Sequence, residues 1–202
     1  MLASGDQLLQ QALGAHRRGA IAEAATLYRR VLEMAPTNNV ACTNLAVIAT
    51  AAGDFNEAEK MFRRAVELTP DAAEAHYNLG FILQEQGKLD AAIETYRRAL
   101  VLRPDMPQAC TNLGVALQHQ GKLDEAVAAF RQAIAGNPKH ADAYFNLGAV
   151  LRVQGFVDEA AAAYKRVIEI DPGHAAACNN LALILSEAGE LPAADALERQ
   201  AV

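Results

Sequence analysis

Tryptophan is absent from the 202 residues, and aromatic side chains make up only 5% of them. A β-sandwich or barrel needs aromatic and β-branched side chains to fill its layers. Their scarcity, beside abundant alanine, points to close-packed helices. Apolar residues reach 52%, yet no uninterrupted run is long enough to span a bilayer, so no membrane partner is expected. Positive charge is not in excess: 18 Lys and Arg stand against 24 Asp and Glu, a net charge of −6. That argues against nucleic acid, which asks for a basic footprint. The opening Met1-Leu2-Ala3-Ser4-Gly5-Asp6 lacks a basic stretch followed by an apolar one. No secretory signal is predicted, and a cytoplasmic location is expected. A glycine-rich phosphate loop is missing too, so no cofactor is implied.

What is present is a period. Pro36, Pro70, Pro104, Pro138 and Pro172 stand 34 residues apart. Gly19, Gly53, Gly87, Gly121, Gly155 and Gly189 keep the same spacing, as do Ala24, Ala58, Ala92, Ala126, Ala160 and Ala194. Three residue types sharing one period define a repeat. With proline at the thirty-second position the units are 5–38, 39–72, 73–106, 107–140, 141–174 and a shortened 175–202, forming a single array over 1–202. Each unit reads as two helices. Glycine supplies the positive φ that closes the first, and proline stops the second. Asn56, Asp90, Asp124 and Asp158 are placed to cap second helices, and Asp71 and Asp105 to cap first helices. Ala46, Gly80, Gly114, Gly148 and Ala182 are expected to face the periodic alanines, small against small. Leu45, Leu79, Leu113, Leu147 and Leu181, with Phe62, Tyr96, Phe130 and Tyr164, fill the remaining volume. One such pair buries too little surface alone, so neighbours must stack.

These residues carry a family resemblance. Leu79-Gly80, Gly87, Ala92, Tyr96, Ala99 and Pro104 resemble the tetratricopeptide repeat. The resemblance covers nearly the whole chain. It implies an all-α fold: a right-handed superhelix, or α-solenoid, of six helix-turn-helix repeats. First helices would line a concave groove, with second helices outside. Gln11, where other repeats have Leu, marks a polar N-terminal cap. The last repeat stops at Val202 within its second helix, so the sequence suggests either a piece of a longer protein or an end covered by another copy.

The sixth position reads Gln10, Asn44, Asn78, Asn112, Asn146, Asn180. If first helices line a groove, five asparagines form a rail along it. An Asn amide offers two donors and an acceptor, and so pairs with both the N–H and the C=O of an extended peptide. This rail is similar to the asparagine ladder of the repeat domain of O-linked GlcNAc transferase. That resemblance implies peptide-backbone contacts for Asn44, Asn78, Asn112, Asn146 and Asn180, with Gln10 departing from the pattern. Beside the rail lie Tyr77 and Phe145, alternating with Thr43, Thr111 and Asn179. One turn before it stand the acids Asp6, Glu74 and Asp142; one turn after, Val47 and Phe81 among others. An extended segment with apolar and basic or hydroxylic side chains would suit such a surface. The blander alternative is that these polar residues only solvate a helix face.

Other residues tempt less. Cys42, Cys110 and Cys178 recur every second repeat, too far apart for the ~7 Å Cα limit of a disulfide, and read as small buried packing residues. His16, His76, His119, His140 and His174 are scattered and read as surface residues, so no metal site is implied. Arg29-Arg30, Arg63-Arg64, Arg97-Arg98 and Lys165-Arg166 read as a solvated outer face whose cations complement helix C-termini. No nucleophile with a base and an orienting group can be assembled. The chain is therefore expected to be a non-enzymatic protein-interaction scaffold for a protein or peptide ligand in a concave groove. Alternatives are the substrate-recruiting N-terminal domain of a longer enzyme such as a glycosyltransferase, and a scaffold that self-associates through its uncapped C-terminal end.

Overall fold

The structure is a computed structural model that describes residues 4–200, the side chains at 195, 198 and 200 excepted. It divides into two compact units, Met1–Arg103 and Pro104–Val202. The first holds α1 (Gly5–Arg17), α2 (Ile21–Met34), α3 (Asn39–Ala51), α4 (Phe55–Leu68), α5 (Ala73–Glu85) and α6 (Leu89–Leu102). The second holds α7 (Pro107–His119), α8 (Leu123–Gly136), α9 (Ala141–Val153), α10 (Val157–Ile170), α11 (Ala175–Glu187) and α12 (Leu191–Gln200). No strand occurs among the described residues. Within each unit every odd-numbered helix packs on the even one that follows, and each pair packs on the next. No helix of the described residues is long and apolar enough to cross a membrane.

Glycine and proline set the boundaries as their chemistry requires. At the end of α3, Gly53 takes φ +74°. The Gly53 N–H then bonds the Thr50 carbonyl at 3.0 Å and the Asp54 N–H that of Ala49 at 2.9 Å, closing the last turn. Second helices end two residues before proline, and the residue between, Thr69, Arg103 or Asn137, takes φ near −140°.

The capping expectation is corrected in detail. Among the caps described for α2, α4, α6, α8 and α10, Asp54, two residues before Asn56, alone caps with its side chain, accepting from the Glu57 N–H at 3.0 Å. Lys88, Lys122 and Phe156 occupy the cap positions of α6, α8 and α10 without a side-chain cap bond. Asp90, Asp124 and Asp158 fall inside the first turn, where a carboxylate faces the positive end of the helix dipole. Asp124 also accepts from Gln154 of the next repeat at 2.7 Å, and Asn56 from Gln86 at 3.3 Å. Asp71 and Asp105 stand just outside the helices that Ala72 and Met106 begin.

The small residues also make room for the aromatic rings. Ala58, Ala92, Ala126 and Ala160 are buried. Yet the atoms nearest to the helical glycines belong to the aromatic ring one turn further on. A Cβ at Gly80 would meet the Tyr96 ring at 2.8 Å, one at Gly114 the Phe130 ring at 2.5 Å, and one at Gly148 the Tyr164 ring at 3.0 Å. Glycine makes room for a ring face, and the ring fills the space between the paired helices.

The buried tyrosines differ in how their hydroxyls are satisfied. Tyr96 donates to Gln84 Oε1 at 3.1 Å. The Tyr164 hydroxyl is buried with no hydrogen-bond partner among the described residues. Burial raises the pKa of Tyr164, opposed more weakly by Arg152 and by Asn180, whose amide lies close by but outside hydrogen-bonding geometry. Removing a bonded hydroxyl forfeits the bond, whereas removing an unsatisfied one relieves a desolvation cost. Tyr96→Phe is therefore expected to destabilise by about 1 kcal/mol, and Tyr164→Phe to be neutral or stabilising. Urea titration of both variants checks this; an equal loss in the two would contradict it.

Candidate functional site

The asparagines predicted as a rail sit at one register of successive first helices: Asn44 on α3 and Asn78 on α5 in the first unit, Asn112, Asn146 and Asn180 on α7, α9 and α11 in the second. All five are half-buried, and Gln10 is exposed. Asn44 Nδ2 donates to the Val40 carbonyl at 2.8 Å, and Asn146 Nδ2 to that of Asp142 at 2.9 Å. Each bond spans one turn of the residue's own helix. It consumes one of two N–H groups and leaves the second, with the amide carbonyl, for a ligand. It also fixes the amide's orientation, which lowers the entropy lost on binding. Asn180 weakly lowers the pKa of Tyr164.

The flanking residues separate into two kinds. Tyr77 and Phe145 lie half-buried beside the rail, each against the buried tyrosine of its own repeat. The Tyr77 and Tyr96 ring centroids are 6.1 Å apart, and those of Phe145 and Tyr164 5.8 Å. Phe145 also packs on His174 at 5.0 Å. The acids Glu74 and Asp142 are exposed. Glu74 pairs with Arg103 at 2.5 Å. Its own backbone N–H at the helix start, and then Arg103, hold its carboxyl below the usual glutamate value.

Between α3 and α5 the first unit opens a pocket of about 380 Å³, lined by Val47, Thr50, Ala51, Phe62, Tyr77, Asn78 and Phe81. No lining residue is charged. The Thr50 hydroxyl is already spent, donating to the Ala46 carbonyl at 2.8 Å. Asn78 is a polar handle in a mainly apolar lining. Sequence reasoning placed Asn78, Tyr77, Val47 and Phe81 on this surface. It missed Thr50, Ala51 and Phe62, because the pocket needs three helices and no single periodic position marks it.

The histidines are not a surface set: His76 is buried with Nε2 donating to the Pro70 carbonyl at 2.8 Å. His174 Nδ1 accepts from the Ala177 N–H to cap α11, and His140 Nε2 lies 3.2 Å from Thr111 Oγ1. Only His119 is exposed. These rings serve helix starts and inter-helix contacts, and no group of three potential metal ligands converges among the described residues.

The outer cations do more than complement helix ends. Arg29 grips both carboxylate oxygens of Glu57 in the next repeat at 2.7 and 3.0 Å. Arg131 reaches Glu159 at 2.9 Å, and Lys88 reaches back to Glu59 at 2.7 Å. The Lys88 ammonium, and more weakly Arg63, lowers the pKa of Glu59. Such exposed bridges contribute at most ~1 kcal/mol each.

The three cysteines are free and buried. Burial raises the Cys42 thiol and pushes Cys110 up to about 11. A raised folded-state pKa means the folded chain favours the protonated thiol. The associated stability is present below the unfolded value and is lost as pH rises toward 11. At pH 8 a thiol of this pKa is roughly one part in a thousand thiolate. Native Cys110 is accordingly expected to resist iodoacetamide at pH 8 and to react in 6 M guanidinium. Mass spectrometry reads the outcome, and rapid native alkylation would contradict it.

The family model for the tetratricopeptide repeat matches residues 43–107, 111–175 and 153–202. No curated protein sequence gives a significant match. Among solved structures, MamA is similar at 29% identity, over 78% of this chain and 92% of that one, with a TM-score of 0.73. YrrB, described as a TPR protein with an unusual peptide-binding site, is 22% identical, covers 93% of each chain and has a TM-score of 0.76. PilF of Pseudomonas aeruginosa is 20% identical over 96% and 88%, with a TM-score of 0.81.

Proposed function

Since this chain belongs to the tetratricopeptide repeat family, we propose that it is a protein-interaction module whose first helices hold extended peptide segments through their asparagines. The observation that carries the proposal is the common register of Asn44 and Asn78 in one unit and of Asn112, Asn146 and Asn180 in the other, all half-buried. An amide that is part-shielded yet reachable forms stronger hydrogen bonds than one fully in water. Backbone pairing also holds a peptide without demanding a particular sequence, as suits a scaffold. A protein of the same fold, YrrB, is described as having a peptide-binding site, which supports peptide recognition on such a frame. The rail is offered here as the analogue of the asparagine ladder of O-linked GlcNAc transferase. Tyr77, Phe145, Glu74 and Asp142 would border the bound segment and add preference for apolar or basic side chains.

The test uses the full chain on a peptide array, followed by titration of the best-bound peptides. Asn44→Ala with Asn78→Ala removes the rail in the first unit. Asn112→Ala, Asn146→Ala and Asn180→Ala remove it in the second. The proposal expects at least one of these variants to lose binding while remaining helical. Unchanged affinity in both would overturn it.

A further inference from the structure

We propose that the pocket between α3 and α5 is an anchor for one bulky, uncharged aliphatic side chain of an extended peptide whose backbone amide pairs with Asn78; this rests on the rail reading. Its walls are Val47, Thr50, Ala51, Phe62, Tyr77 and Phe81, with Asn78 at the mouth, enclosing about 380 Å³. A volume of that order lies at the small end of ligand pockets, which run from roughly 300 Å³ upward. The occupant is therefore a side chain rather than a folded element.

Charge selects the class of side chain. None of the seven lining residues is ionisable apart from Tyr77, and the Thr50 hydroxyl donates to Ala46. A lysine or carboxylate entering would lose hydration with no opposite charge in the lining in return. An aliphatic group loses nothing polar and buries apolar surface against Val47, Phe62 and Phe81. Asn78 then supplies what the side chain cannot: a donor and an acceptor for the peptide group carrying it.

The matching helices of the second unit offer different walls. The site needs Val47 and Thr50 from α3 opposite Tyr77 and Phe81 from α5. At the matching positions of the second unit, α9 offers Ala149 in place of Phe81, and Phe145 packs on His174. The anchor is thus a position-specific preference added to a rail that repeats.

The probes are three capped amino acids: the N-acetyl methylamides of leucine, lysine and glycine. Each is titrated into the full chain labelled with nitrogen-15 and followed by amide chemical shifts. The leucine compound is expected to perturb Val47, Tyr77 and Phe81 and to bind on the order of tenfold tighter than the glycine compound. The lysine compound should behave like glycine. Ala51→Phe fills the pocket from an exposed position, so the helical content is kept while the leucine preference disappears. Equal binding of leucine and glycine compounds, or a leucine preference that survives Ala51→Phe, would overturn the anchor. Asn78→Ala should weaken all three compounds alike. If it changes nothing while Ala51→Phe abolishes the leucine preference, the anchor is upheld and the rail reading is the one that fails.

Discussion

Replacing Phe130 by alanine is expected to destabilise the protein by about 3–5 kcal/mol. The Phe130 ring is fully buried on α8. It lies so close to Gly114 that a methyl group there would sit 2.5 Å from Cε1. Truncation removes the ring and leaves a cavity that two rigid helices close only in part. The reverse change makes the same point from the other side. Gly114→Ala gains about 1 kcal/mol of helix propensity but forces the ring out of its place, an overpacking cost of about 1–3 kcal/mol. The net expectation is a loss. In a Phe130→Leu background the smaller side chain yields, and Gly114→Ala should become neutral or favourable. A double-mutant cycle by urea titration measures this coupling. Simple additivity would show that glycine is present for another reason.

Loss of three rail asparagines in the second unit is expected to weaken an array-selected peptide bound there by on the order of 100-fold. Each hydrogen bond contributes about 1 kcal/mol net, and 1.4 kcal/mol corresponds to a factor of ten. Folding should move the other way. Alanine is the better helix former, and these asparagines are only half-buried, so thermal stability should hold or rise. Opposite signs for affinity and stability separate a binding role from a packing role. An affinity loss that tracked a falling melting temperature would assign the asparagines to the fold instead.

The fold was legible because its signals are backbone signals. Proline ends a helix wherever it falls, and Gly53 at positive φ closes one. Neither depends on distant partners. Capping was less legible: Asp90 and Asp124 have the right chemistry for a cap, but helix start is set by the chain's exit from the glycine turn, two residues earlier. The histidines were misread because a lone imidazole gives no hint of the carbonyl it will meet, such as Pro70 for His76. Arg29 and Glu57 are 28 residues apart, a spacing that becomes meaningful only once two outer helices are known to stack. The rail could be read as a column of equal letters. The pocket beside Asn78 could not, since Thr50, Ala51 and Phe62 come from two helices and share no common repeat position.

The central claim concerns side-chain amides, and those can be watched directly. Nitrogen-15 spectra resolve the NH2 pairs of Asn44, Asn78, Asn112, Asn146 and Asn180 as an array-selected peptide is titrated into the full chain. The account predicts saturable shifts in the rail amides of at least one unit, with Asn56 and Asn137 unmoved. Shifts confined to outer-helix residues such as Arg29 and Arg131, with all five rail amides silent, would contradict it.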